Sequence, residues 1–224
     1  MPSQDDYIGQ YTHVEAITAR RAALVLVDMQ YATGSRRGAL ARRHLDDAVT
    51  HDALTYRFDR IETLVVPNQQ RLADACRKAG ARVVYIRNGS RRADAADAPA
   101  HMRGLYRDLA CHHGSPEHDI LAELAPEPGD IIIDKSTIGA FASTGIDSVL
   151  RALSVSQLIV TGISTNMCVE TTAREAADRG YAVTLVEDAC ATTHADLHAS
   201  TLRNFARLFG RVCATDAVCG ELVA

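Results

Sequence analysis

The chain has 224 residues, 47% of them hydrophobic and 23% charged, with a formal net charge of −4. That length and apolar fraction suffice for one sizeable core, so a single domain over residues 1–224 is expected, with residues 1–20 as an N-terminal extension. The mild acidic balance offers no footprint for nucleic acid and no polybasic patch for a membrane, which leaves a small molecule as the expected partner.

In chain order, the first apolar run is AALVLVD at 22–28, followed by a charged stretch at 31–58 with a few helix-friendly runs. Residues 61–78 repeat apolar side chains at helical spacing (Leu64, Val65, Leu72, Ala75, Cys76) and meet a stop at Gly80. RVVYIR at 82–87 reads as a second strand, and the polar segment 88–118 after it is longer than an ordinary strand-to-helix connection. Further strands are read at 130–134, 157–162, 182–188 and 211–213, with helices at 145–153, 166–179 and 195–208. The strand runs are nearly continuous in apolar residues instead of alternating, so both their faces are covered. The expected fold is α/β: a doubly wound, mostly parallel six-stranded sheet with helices on both faces, whose site lies beyond the carboxyl ends of the strands. The segments 31–58 and 88–118 are either solvated excursions or covers over that site, 88–118 being the expected substrate-selecting loop.

Neither the first twenty residues nor any later segment has the apolar run of roughly 18 residues that a spanning helix needs, so a cytoplasmic location is expected. The cysteines at 76, 111, 168, 190, 213 and 219 form no CxxC pair, which favours free thiols over a disulfide framework.

Three polar features follow directly on apolar strands: Asp28 after ALVLV, Lys135 after IIID, and the turn GISTNMC after QLIVT. In a parallel sheet all three share one edge and face one volume. Cys168 then sits in the first turn of a helix, where unpaired amides and a neighbouring Lys135 would favour a thiolate. Taken alone, a cysteine in a mostly apolar helix is more often an inert core residue. Asp28 is either a capping carboxylate or the group that takes a thiol proton and returns it to a leaving amine. Lys135 is either a surface charge or the cation that keeps Asp28 ionised. Backbone amides of the Gly162–Asn166 turn can serve a tetrahedral oxyanion.

The order Asp28 in LVLVDMQ, Lys135 in IIDKSTIGAF and Cys168 in VTGISTNMCVETTAREAADRGY resembles the isochorismatase-like cysteine hydrolases, which include nicotinamidases, N-carbamoylsarcosine amidases, ureidoacrylate amidases and biuret hydrolases. The resemblance runs from about residue 20 to about residue 218. It implies a catalytic triad of Cys168, Asp28 and Lys135 with a thioester or thiocarbamate intermediate, a cis peptide between Ile163 and Ser164, an oxyanion hole from the amides of Ser164 and Cys168, and a homodimer or homotetramer. It further implies pocket contacts from Gln30, Tyr31, Asn88, Phe141 and Thr165. The Asp-x-His metal motif of nicotinamidases has no counterpart in YIRNGSRRADAADAPAHMRG, so neither a metal nor an organic cofactor is expected. Cys168 favours amide chemistry over the vinyl ether cleavage of true isochorismatases, which typically lack that cysteine.

Other residues carry open readings. His194 and His198 are spaced for zinc on a helix face but lack a third ligand, and are read as solvated or capping. Cys111, His112 and His113 are too tightly spaced to hold one ion comfortably. Arg91, Arg92, His101 and Arg103 form either a carboxylate receptor or a solvated face. The expected activity is hydrolysis of a carbon–nitrogen bond in a small amide, ureido or carbamoyl compound. The rivals are an enol ether or hydrazide hydrolase, and an inactive binding protein on the same scaffold.

Overall fold

In the computed structural model, residues 7–12 and 14–223 are described; of the expected N-terminal extension, residues 1–6 and 13 lie outside them. The strands β1 (Ala22–Val27), β2 (Arg82–Asn88), β3 (Ile131–Lys135), β4 (Gln157–Ile163), β5 (Ala182–Ala191) and β6 (Arg211–Cys213) form one sheet in the order β3-β2-β1-β4-β5-β6. Every neighbouring pair is parallel. The winding reverses between β1 and β4, so the loops leaving these two strands diverge and open a crevice at their carboxyl ends.

The helices are α1 (Tyr31–Gly34), α2 (Ala39–His44), α3 (His51–Arg60), α4 (Val66–Ala79), α5 (Ala100–Asp108), α6 (Ile146–Ala152), α7 (Glu170–Asp178), α8 (Ala195–Ala206) and α9 (Thr215–Val223). β1 shows why its sequence is apolar throughout: successive side chains point to opposite faces. Ala22, Leu24 and Leu26 pack with Phe58 of α3, Leu72 of α4 and Val218 of α9. Ala23, Val25 and Val27 pack with Leu150 of α6, Ala173 of α7 and Phe205 of α8 on the other side. All six β1 residues are buried.

The expected helix from Ile61 is one stretch of a longer path. α3 runs through a π-helical turn at Ile61–Val65 into α4, which ends at Gly80 with φ 81°. Pro67 lacks the amide hydrogen that a regular helix would use, and the wider turn before it absorbs that loss. α9 was not expected from the sequence: its apolar residues are spread around the helix without a clear period, and it is held by docking Val218 and Leu222 onto the α4 side of the sheet.

The segments read as excursions hold structure of their own. Residues 31–58 hold α1, α2 and most of α3, and α5 lies within 88–118. Ala32 and Ala39 pack against Ala95, Ala98, Met102, Tyr106 and Cys111 in a third apolar cluster, so the loops after β1 and β2 cover each other. The described part of the N-terminal stretch is tied down by Ile17 N donating to Glu221 Oε2 at 2.7 Å and Thr18 N donating to Gln157 Oε1 at 2.7 Å. Among the described residues no helix is long and apolar enough to cross a membrane. The six cysteines are free.

Candidate active site

Asp28 is the first residue after β1 and takes φ 56°, a left-handed conformation that Asp tolerates better than most residues but still at a cost. The turn is pinned by Asp28 N donating to Ile86 O at 2.9 Å and Gln30 N donating to Asp28 O at 2.8 Å. Chain direction thus breaks at the strand tip with the carboxylate buried and only 4% exposed.

Lys135 closes β3, two strands away from β1. Neighbouring strands lie about 4.8 Å apart, so a group on β3 must cross about 10 Å to reach the β1 tip, which a long unbranched stem can do. Its Nζ donates to Asp28 Oδ2 at 3.0 Å and to the carbonyls of Thr137 and Ile138, each at 3.0 Å. All three ammonium protons are engaged, and the side chain is fully buried. Burial alone would lower the lysine's proton affinity, but Asp28 and then Cys168 outweigh it and hold the ammonium charged. For Asp28 the balance runs the other way. Burial raises its pKa above the ordinary carboxylate range, while Lys135, Cys168 and Arg57 pull it back in part.

Cys168 lies in a π-helical turn, Thr165–Val169, that leads into α7. The turn is brought over Asp28 by Gly162, at φ 121°, where a Cβ would stand 2.1 Å from Val27 O; β4 can approach the end of β1 only through a glycine. The thiol is 7% exposed and close enough to Asp28 and Lys135 for both to affect its titration. Burial and the Asp28 carboxylate push the thiol up to about 12, more than Lys135 pulls it down. Lys135 acts on the thiol in the direction expected from the sequence, and burial and Asp28 oppose it. Asp28 Oδ1 is buried with no hydrogen-bond partner among the described residues.

The peptide bond between Ile163 and Ser164 is cis. The Ser164 carbonyl accepts from Met167 N at 3.0 Å and Val169 N at 3.3 Å. Its Oγ accepts from Arg57 Nη1 at 2.7 Å.

The expected pocket contacts separate. Asn88 is half-buried at the end of β2; its Oδ1 accepts from the Tyr106 hydroxyl, and Nδ2 has no partner among the described residues. Gln30 Nε2 donates to Asn88 O at 3.2 Å and His118 O at 2.8 Å, and its Oε1 accepts from Asn88 N at 2.6 Å, so its amide is bonded to backbone on both sides. The fully buried Thr165 hydroxyl is bonded to His198 Nδ1 at 2.9 Å. Phe141 turns away toward the start of β5, its ring 6.0 Å from that of Tyr181 and under the Arg179 guanidinium. The Tyr31 hydroxyl accepts from Ala122 N at 3.3 Å.

His198 is buried, bonded to Thr165 and 3.1 Å from Arg60 Nη2, in place of the solvated role expected; His194 precedes α8 and is exposed. Of the basic residues after β2, Arg92 pairs with Asp94 and Arg103 Nε donates to Ala98 O at 2.8 Å. Arg91, with Gly89, His113, Lys135, Ser136 and Ser143, lines a cavity of about 240 Å³ at the β3 tip.

Sequence reasoning missed three residues that the fold brings near the site. Arg57 and Tyr106 sit in segments without strong periodicity, and nothing in their neighbours marks them. His118 joins His113 and Asp134 in a cluster whose ligand atoms lie within 4.8 Å of one another. Arg87 already forks the Asp134 carboxylate at 2.7 and 3.0 Å, so the trio reads as an ionic network around that pair.

A family model described as "Isochorismatase domain" matches residues 22–217. The chain is 30% identical over 225 residues to a ureidoacrylate amidohydrolase RutB of Stutzerimonas stutzeri, covering 93% of this chain and 86% of the relative. A crystal structure of a cysteine hydrolase from Pseudomonas syringae pv. phaseolicola superposes with a TM-score of 0.77 at 32% identity, covering 93% of this chain and 95% of that one. N-carbamoylsarcosine amidase from Thermoplasma acidophilum shares the fold, with a TM-score of 0.64 at 24% identity over 88% of this chain and 97% of that one.

Proposed function

The chain belongs to the isochorismatase family, and from that premise we propose that it hydrolyses a carbon–nitrogen bond in a small amide, ureido or carbamoyl compound through a covalent bond to Cys168. The observation that carries this reading is the buried contact of Lys135 Nζ with Asp28 Oδ2 at 3.0 Å, with the Cys168 thiol beside both. The likeness to a ureidoacrylate amidohydrolase supports the bond class.

In this reading Asp28 takes the thiol proton as sulfur attacks the substrate carbonyl. Its raised pKa suits that task, because a carboxylate of ordinary basicity would be a weaker acceptor. The carbonyl oxygen becomes an oxyanion held by the amides of Ser164 and Cys168. Collapse of the tetrahedral adduct breaks the carbon–nitrogen bond, and Asp28 returns its proton to the departing nitrogen, which leaves as ammonia or an amine. Water then attacks the thioester or thiocarbamate, Asp28 accepts one proton from it, and the sulfur leaves and recovers that proton. Lys135 keeps its proton throughout, since all three of its N–H bonds are engaged. Its task is to hold Asp28 in place and ionised.

An ammonia-release screen over amides, ureas, carbamates and hydrazides tests the reading, with Cys168→Ala as the blank. Turnover of an amide or ureido compound that vanishes in Cys168→Ala is the expected result. Turnover that persists in Cys168→Ala but disappears in Asp28→Ala would overturn the thiol route in favour of acid-driven ether cleavage.

A further inference from the structure

A second cation lies beneath the same turn. Arg57, on α3, is 3% exposed; its Nε donates to Thr33 O at 3.0 Å and its Nη1 to Ser164 Oγ at 2.7 Å. Both partners are neutral, and no described carboxylate is in salt-bridge contact with it. Burying a guanidinium on a carbonyl and a hydroxyl alone is costly, so some other negative charge must compensate it at a distance. Burial lowers its pKa to about 10, with Cys168 first and Asp28 next acting against that fall, so it stays charged at neutral pH and senses both groups.

Two buried cations, Lys135 and Arg57, flank one buried carboxylate, Asp28, and the buried Cys168 thiol: Lys135 Nζ is bonded to Asp28 Oδ2 and Arg57 Nη1 to Ser164 Oγ in the Cys168 turn. During acylation the negative charge does not change in amount but moves. It starts on Asp28, in contact with Lys135, passes to sulfur and then to the oxyanion beside the Ser164 amide. Lys135 is matched to the starting point, and Arg57, bonded to Ser164, is matched to the destination.

We propose that Arg57 is a positioning residue of the hydrolytic site, fixing Ser164 and supplying the positive potential that favours negative charge at the Cys168 sulfur and the substrate oxygen over negative charge on Asp28. An interaction that strengthens as charge moves toward it raises kcat and leaves KM largely alone. This rests on the reading of Cys168 as nucleophile.

The test compares Arg57→Met, Arg57→Lys and Ser164→Ala with the parent protein. Melting temperature, kcat and KM against pH on the best substrate of the screen, and the iodoacetamide alkylation rate of Cys168 by peptide mapping at pH 7–10 are measured. Arg57→Met is expected to lower kcat by on the order of 10²-fold with KM changed less than about threefold. It should also slow Cys168 alkylation at every pH, because the thiolate loses a favourable potential. Arg57→Lys should recover about tenfold of the kcat loss and most of the alkylation rate. Ser164→Ala should keep the alkylation rate while lowering kcat by about tenfold.

Arg57→Met with parental kcat and parental alkylation overturns the proposal, as does Arg57→Lys that falls as far as Arg57→Met in kcat while alkylation stays parental in both. If Arg57→Met fails to fold, Arg57→Lys decides alone: a lower kcat with near-parental alkylation supports the role, and an unchanged kcat at every pH removes it. Failure of the nucleophile reading is distinguishable, since Cys168→Ala would then retain turnover.

Discussion

Lys135 Nζ stands 3.0 Å from Asp28 Oδ2 across the tip of β2, with both side chains withdrawn from solvent. Removing one partner of a buried pair typically costs about 3–5 kcal/mol, because the other is left charged without compensation. Lys135→Met should therefore melt well below the parent at pH 9. Asp28, already raised by burial, then binds a proton more readily still, so the deficit should shrink as the pH is lowered to 6. Melting curves at the two pH values check this; an equal deficit at both would mean that Asp28 keeps its charge without the lysine.

Asp28→Asn separates acid–base work from thiol reactivity. Loss of the base should lower kcat by on the order of 10²–10⁴-fold. The Asp28 carboxylate is second only to burial in pushing the Cys168 thiol up to about 12, so its removal should speed alkylation of Cys168 at a fixed pH. Turnover and alkylation thus move in opposite directions. If both fall together, Asp28 acts on the thiol chiefly as a resting proton acceptor.

Acid stability should follow two buried histidines. Burial, reinforced by Arg87 for His118 and Arg60 for His198, lowers both to about 4. The unfolded chain takes up these protons near pH 6.5, so between 6.5 and 4 it binds more protons than the folded one. Stability should be flat above about pH 6.5 and fall as the pH drops toward 4, by at most about 3 kcal/mol per histidine. Urea titrations at pH 7 and 4.5 measure the slope, and His118→Gln should remove part of it.

Gly162→Ala should destabilise the whole sheet by on the order of 3 kcal/mol or more. The new Cβ would meet Val27 O at 2.1 Å and Val27 N at 2.7 Å, at φ 121°. Gly180→Ala, which meets nothing within 4 Å, is the control: at φ 84° it carries only the conformational strain. The difference between the two in thermal unfolding isolates the steric part.

The strands were legible in the sequence because a strand covered on both faces must be apolar throughout, and the break at Asp28, Lys135 and the Cys168 turn stood out against that background. The sequence likewise carried the order of the motifs, and with it the kinship. What it did not carry depends on contacts between segments far apart in the chain. Arg57 meets Ser164 across 107 positions, and Gln30 bonds its amide to the backbone of Asn88 and His118. The protonation of Cys168 is of the same kind. Periodicity reports which side chains leave water, but the charge state of a buried thiol is set by the difference between a desolvation cost and several opposing fields, and only the folded arrangement fixes the distances in that difference.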